Sequence, residues 1–241
     1  MNNPYCDPET GICTPADLPG EGTNEQMRTD AKLIYVGDPM CSWCWGIEPA
    51  LQQLKKDLAK EEGIPFQLVV GGLRPGGGDP WDDEMKAFLK HHWEEVQERS
   101  GQPFGTRLFD RDEFNYDTEP ACRAVVAFRQ LKPEQELDFF AAVQRKFYVD
   151  NEDPNTDEFY HSLCEEFAAD YNRFKEHFHS EEIRKATNDE FQMNRNWGVK
   201  GYPAVLVAYK DELFAIALGY ATYDEMKSRA LAVLNEEAPA R

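Results

Sequence analysis

In the stretch YVGDPMCSWCWGIEP, residues 35–49, Cys41 and Cys44 stand two residues apart, behind an apolar run and ahead of helical spacing. Three chemistries suit such a pair: reversible disulfide formation, half of a zinc site, or burial as small apolar side chains. Context favours the first, because a strand precedes the pair and a helix follows it. A helix N-terminus offers unsatisfied backbone N–H groups and the positive end of the helix dipole, which together favour a thiolate. Cys41 is placed to feel that field and to act as an exposed nucleophile. Cys44, one turn along the same face, is close enough to close a disulfide and is expected to be the more buried, resolving thiol.

Four other cysteines need a reading. Cys6 and Cys13, in CDPETGIC, flank a Pro8–Gly11 turn that could bring their thiols together. They are an accessory dithiol, two further zinc ligands beside Cys41 and Cys44, or unrelated thiols. Cys122 in ACRAVVAF and Cys164 in FYHSLCEEF have apolar neighbours at helical spacing and read as buried core. His91 and His92 lie among charged residues and read as solvated. No other metal spacing and no Ser/His/Asp order appears. GGLRPGGGDP lacks a following G-K-[ST] and reads as a flexible loop beside the cysteine pair rather than a phosphate cradle. Trp43 and Trp45 are candidates for an apolar rim, one of them packed.

The elements that position these residues follow from periodicity. KLIYVGD (32–38) is a strand. Ile47, Leu51, Leu54 and Leu58 share a helical face that Gly63 ends, and PFQLVVGGL is a second strand. Residues 81–101, 118–131, 133–150, 156–171 and 180–198 are helical, punctuated by Pro, Gly and Asn/Asp clusters. YPAVLVAY, KDE and LFAIALGY make a β-hairpin, and TYDEMKSRALAVLNEEA a closing helix. Pro203, after Gly201 and Tyr202, opens the hairpin where a residue without an N–H can sit. The chain divides into an extended segment (1–31), a first α/β half (32–78), a helical insertion (79–197) and a second half (198–241).

Composition narrows the function. With 26 basic and 45 acidic side chains the net charge is −19, which repels phosphate backbones and anionic leaflets; neither nucleic acid nor membrane is an expected partner. No window is apolar enough to span a bilayer. The N-terminus has no basic start, apolar stretch or A-x-A-like end, so a cytoplasmic location is expected. There most thiols stay reduced, which disfavours structural disulfides.

The motifs YVGDPMCSWCWG, VVGGLRPGG, DTEPACRAV and GVKGYPAVL, in that order from Lys32 onward, closely resemble the FrnE-type branch of the DsbA family. That resemblance implies a thioredoxin-like α/β fold with a large helical insertion. It also implies a thiol–disulfide oxidoreductase or isomerase acting on protein or small thiols through a mixed disulfide, with no cofactor and no metal. Cys41 would be the nucleophile, Cys44 the resolving thiol and Pro203 a cis proline facing them, with Trp43 and Tyr202 touching substrate. DsbA has a histidine between its cysteines where this chain has Ser42 and Trp43, and Asp38 lies upstream; both differences imply a weaker oxidant. Tyr202 is bulkier than the DsbA residue and leaves substrate preference open. Kappa-type glutathione transferases and 2-hydroxychromene-2-carboxylate isomerases resemble the same architecture but typically carry serine at the nucleophile position. A zinc-stabilised binding module is the alternative from another class.

Overall fold

β1 (Ala31–Gly37) carries apolar side chains on both faces and is buried along nearly its whole length, the pattern of a central strand. The computed structural model, which describes residues 29–236, places it between β2 (Phe66–Val70) and β3 (Ala204–Tyr209). β4 (Glu212–Leu218) completes a four-stranded sheet of order β2-β1-β3-β4. β1 runs parallel to β2, with Leu33 opposite Phe66, and antiparallel to β3, with Val36 opposite Ala204. Alternation sorts its side chains: Leu33 and Tyr35 enter the larger apolar cluster, Ile34 and Val36 a smaller one on the other face. Lys210 and Asp211, both at positive φ, join β3 to β4. This two-residue turn suits the right-handed twist of a hairpin. It is one residue shorter than expected, because Glu212 already pairs with Tyr209.

α1 (Ser42–Glu62) crosses from β1 to β2. Between β2 and β3 come α2 (Asp83–Ser100), α3 (Glu119–Arg129), α4 (Glu136–Tyr148), α5 (Asp157–Glu166), α6 (Tyr171–His179) and α7 (Glu181–Asn196), and α8 (Tyr223–Leu234) follows β4. One expectation is corrected. The helix foreseen over 156–171 ends at Glu166, Ala168 turns the chain with φ 48°, and Asp170 caps a separate α6 through the N–H groups of Asn172 and Arg173. Phe174 and Phe178, four apart and both buried, are the local signal for α6.

The end of β2 is held from the helical side. Arg129 of α3 reaches Glu136, Glu190 and the Leu68 carbonyl, and Glu190 accepts the Val70 N–H at 2.7 Å. One guanidinium thus ties α3, α4 and α7 to the strand from which Gly71–Leu73 leaves for the site.

α1 buries Ile47, Leu51, Leu54 and Leu58 on one face and stops at Gly63, whose φ of 64° is a left-handed cap. Pro49 lies inside it and has no N–H for the carbonyl of Trp45, four residues back. Gln102, just past α2, supplies the missing donor: its Nε2 reaches that carbonyl at 3.0 Å. The Trp45 indole N–H donates to the Pro103 carbonyl at 3.0 Å. The cysteine-bearing turn of α1 is therefore fastened to residues 102–103. Gln102→Leu should leave the Trp45 carbonyl without its partner and cost about 1–2 kcal/mol. The reading is a lower urea midpoint with unchanged slope and faster amide exchange in the first turns of α1; an unchanged midpoint would show that water replaces the amide.

Candidate active site

Cys41 is the N-cap of α1, with extended φ and ψ of −92° and 117°. Its carbonyl accepts the N–H groups of Cys44 (2.9 Å) and Trp45 (3.2 Å), and its own N–H donates to the Asp38 carbonyl at 3.0 Å. The helix begins at Ser42, so the pair straddles its first turn as the spacing foresees. The expected exposure of Cys41 is corrected: it is only 5% exposed, against 0% for Cys44. The loop before β3 covers it, and its Sγ lies 3.4 Å from the Tyr202 carbonyl oxygen. The order of access, Cys41 before Cys44, is retained.

Cys44 sits in a closed polar cluster. The Asp38 N–H donates to its Sγ at 3.5 Å. The buried Tyr35 hydroxyl, with no nitrogen or oxygen partner, interacts with the same sulfur. Burial, and next the adjacent Cys41, push the Cys44 thiol well above the ordinary thiol range. Asp38 itself has no exposed surface. Its Oδ1 accepts the Met40 N–H at 2.8 Å; its Oδ2 accepts the Leu73 N–H at 2.6 Å and the Cys122 thiol at 3.4 Å. Burial raises its carboxyl pKa even though these bonds favour the anion. Cys122 is buried as expected, but it also touches the site's carboxylate, which no local motif announces. Tyr116 adds a further tie, donating from its hydroxyl to the Met40 carbonyl at 2.7 Å.

The Tyr202–Pro203 bond is cis. Tyr202 faces the sulfur with its carbonyl, while its hydroxyl turns inward, 2.6 Å from the Gly71 carbonyl and 3.1 Å from Asn194 Oδ1. Trp43 is half-buried at the rim, against Tyr220 and beneath the Arg99 guanidinium. Trp45 is the packed one, stacked on Tyr148. The Gly-rich loop lies beside the pair and is tethered: Arg74 N–H donates to Thr118 Oγ1, Gly76 N–H to Asp117 and Gly78 N–H to Asn115. Cys164 is remote on α5, its thiol raised to about 12 by burial. Cys6 and Cys13 lie outside the described residues. Among the described residues no three His, Cys, Asp or Glu side chains group as a metal site.

The Asp38 carboxyl gives a pH signature. With its pKa raised by burial, the folded chain holds that proton more tightly than the unfolded chain. Its contribution is therefore full below the ordinary aspartate value of about 3.9 and is lost as pH rises through the folded pKa. Urea midpoints of wild type and Asp38→Asn measured across this range should converge as pH rises, the wild type losing more. Parallel curves would show that Asp38 ionises normally in the fold.

With this geometry, similarity to known proteins becomes informative. The family model described as Thioredoxin matches residues 34–227. A Nitrosomonas europaea protein provisionally assigned as a disulfide isomerase is 32% identical, with a TM-score of 0.79 over 87% of this chain and 100% of that one. The cytosolic disulfide reductase DsbM from Pseudomonas aeruginosa is 22% identical, with a TM-score of 0.70 over 85% and 99% of the two chains. The ClpXP adapter protein SpxH of Halalkalibacterium halodurans is 22% identical over 84% of this chain, which spans 66% of that relative's length. The chain belongs to the thioredoxin family.

Proposed function

We propose that this protein exchanges disulfides with protein or small-thiol substrates, on the reducing or isomerising side rather than as a strong oxidant. The observation that carries the reading is the Cys41–Cys44 pair at the start of α1, with the Cys41 sulfur against the Tyr202 carbonyl. Cys41 as thiolate attacks one sulfur of a substrate disulfide. The substrate S–S bond breaks, a mixed disulfide forms on Cys41, and the other substrate sulfur leaves as thiolate and takes a proton. Cys44 then loses its proton and attacks the Cys41 sulfur, closing Cys41–Cys44 and releasing the second substrate thiol. The substrate has gained two electrons and the protein has lost them; external thiols return them. In isomerisation the freed substrate thiolate attacks the mixed disulfide instead, with no net electron flow. Trp43, with Tyr220 and Arg99, gives an apolar, cation-topped rim to the substrate. Pro203 has no N–H to claim a hydrogen bond on the substrate side.

The direction follows from what surrounds the sulfurs. DsbA is strongly oxidising because its reduced form is stabilised. Here the thiols' polar neighbours are a carbonyl, a backbone N–H and a tyrosine hydroxyl, and among the described residues no cation hydrogen-bonds to either. Burial further disfavours a charged Cys44. A cytoplasmic, reducing setting suits this chemistry, and among the described residues no helix is long and apolar enough to cross a membrane.

Cys44→Ser should accumulate mixed disulfides through Cys41, and Cys41→Ser should not; mass spectrometry of adducts reads both, and the reverse pattern would refute the assignment. The Cys41–Cys44 couple should equilibrate with glutathione at a potential nearer thioredoxin's, about −270 mV, than DsbA's, about −120 mV. A value at the DsbA end would make the protein an oxidant.

A further inference from the structure

The groove that opens beside Cys41 differs in charge from the molecule around it. The chain carries −19 overall. Yet a groove of about 480 Å³ between Gly72–Leu73 and the Gly201–Tyr202 loop is lined by Arg195 and Lys200 and by no aspartate or glutamate. Tyr202 belongs to its wall, and the carbonyl of the same residue lies 3.4 Å from the Cys41 sulfur, so one residue separates groove and nucleophile. A second groove, of about 410 Å³, has the opposite make-up: Asp79, Asp82 and Glu84 around Arg74 and Phe88.

Both cations are exposed, and neither charged group forms an ion pair or hydrogen bond with another described residue. Arg195 lies in the last turn of α7, where a cation ordinarily serves the final carbonyls. Those carbonyls are already taken: Met193, Asn194 and Arg195 accept the N–H groups of Trp197, Val199 and Gly198. The wall beneath them is built in place. Asn194 Nδ2 donates to the Val70 carbonyl at 3.1 Å and the Gly71 carbonyl at 3.2 Å, and the Tyr202 hydroxyl packs on the same group. A groove organised before binding loses little on ordering.

We propose that this groove selects thiol and disulfide substrates bearing carboxylates beside the sulfur, with Arg195 and Lys200 as specificity-determining residues. The inference rests on the exchange reaction proposed above and names its substrate class. The electron balance is unchanged: Cys41 bonds to one substrate sulfur, the other leaves as thiolate, and the carboxylates only bind. At about 0.1 M salt the screening length is about 10 Å. The distant acidic surface is then largely screened, and the two neighbouring cations act on the substrate most directly.

The test uses three simple disulfides of similar size with the reduced full-length protein: dianionic dithiodipropionate, neutral hydroxyethyl disulfide and dicationic cystamine. At neutral pH and about 0.1 M salt, the dianion should react roughly tenfold faster than the neutral probe, as two exposed charge contacts allow, with cystamine slowest. In an Arg195→Gln/Lys200→Gln double variant the anion-to-neutral rate ratio should fall to one or below. Cystamine reacting fastest with the wild type, or a ratio retained in the double variant, overturns the proposal. Cysteine-peptide disulfides flanked by glutamate or by lysine, run alongside, assign the same preference to acidic protein segments if it extends to them and to small thiols if it does not. Thiodipropionate, a dianion with no exchangeable bond, separates groove from chemistry. Its binding, seen as shifted amide resonances at 198–202, supports the groove even if no disulfide reacts and the exchange reading fails; absence of shifts overturns the groove.

Discussion

Asp38 has no exposed surface, yet its carboxylate accepts hydrogen bonds from the Met40 and Leu73 N–H groups and the Cys122 thiol, while its own N–H serves the Cys44 sulfur. A buried carboxylate costs several kcal/mol unless its lone pairs are taken up. That cost makes it an effective organiser, because every partner must stay in place for the charge to be tolerated. The partners come from the turn before α1, the loop after β2 and the helix α3. One side chain therefore sets the spacing between the cysteine pair, the loop that borders it and the helical block behind it.

The other half of the site is fastened by a similar device at longer range. Asn194 on α7 spans the Val70 and Gly71 carbonyls and meets the Tyr202 hydroxyl, whose carbonyl in turn faces Cys41. Burial raises the Tyr202 hydroxyl to about 12, so it remains a protonated donor at any ordinary pH. The cysteine pair thus lies between two hydrogen-bonded frames, one centred on a carboxylate and one on an amide. The helical block supplies one member to each frame, Cys122 from α3 and Asn194 from α7.

Electrostatics divides the molecule by scale. The whole chain is strongly acidic, with a net charge of −19. At the Cys41 and Cys44 thiols the hydrogen-bond partners are a carbonyl and a backbone N–H, and burial is the largest influence on Cys44. Between those two scales lie Arg195, Lys200 and Arg99 around the mouth of the site. A protein can be anionic overall and still present cations to what enters, because salt screens the distant charges far more than the near ones.

Much of this was legible in the order of residues. Two cysteines at a strand-to-helix junction, four apolar residues at helical spacing ahead of Gly63, and Tyr202–Pro203 before a hairpin are local patterns, and local backbone preference and amphipathic period decide such elements. α6 was missed because the helix read over 156–171 stops where α6 begins: a left-handed turn at Ala168 follows α5, and residues 172–179, read as no element, are helical. What tertiary structure alone decided are meetings between distant positions. Asp38 and Cys122 lie 84 residues apart, Trp45 and Gln102 57, and Cys41 and Tyr202 161. Nothing in the period of either partner encodes which faces will meet. The near-complete burial of Cys41 is of this kind: a sequence shows that a thiol caps a helix, but only the packed fold shows that a loop from the far end of the chain lies over it.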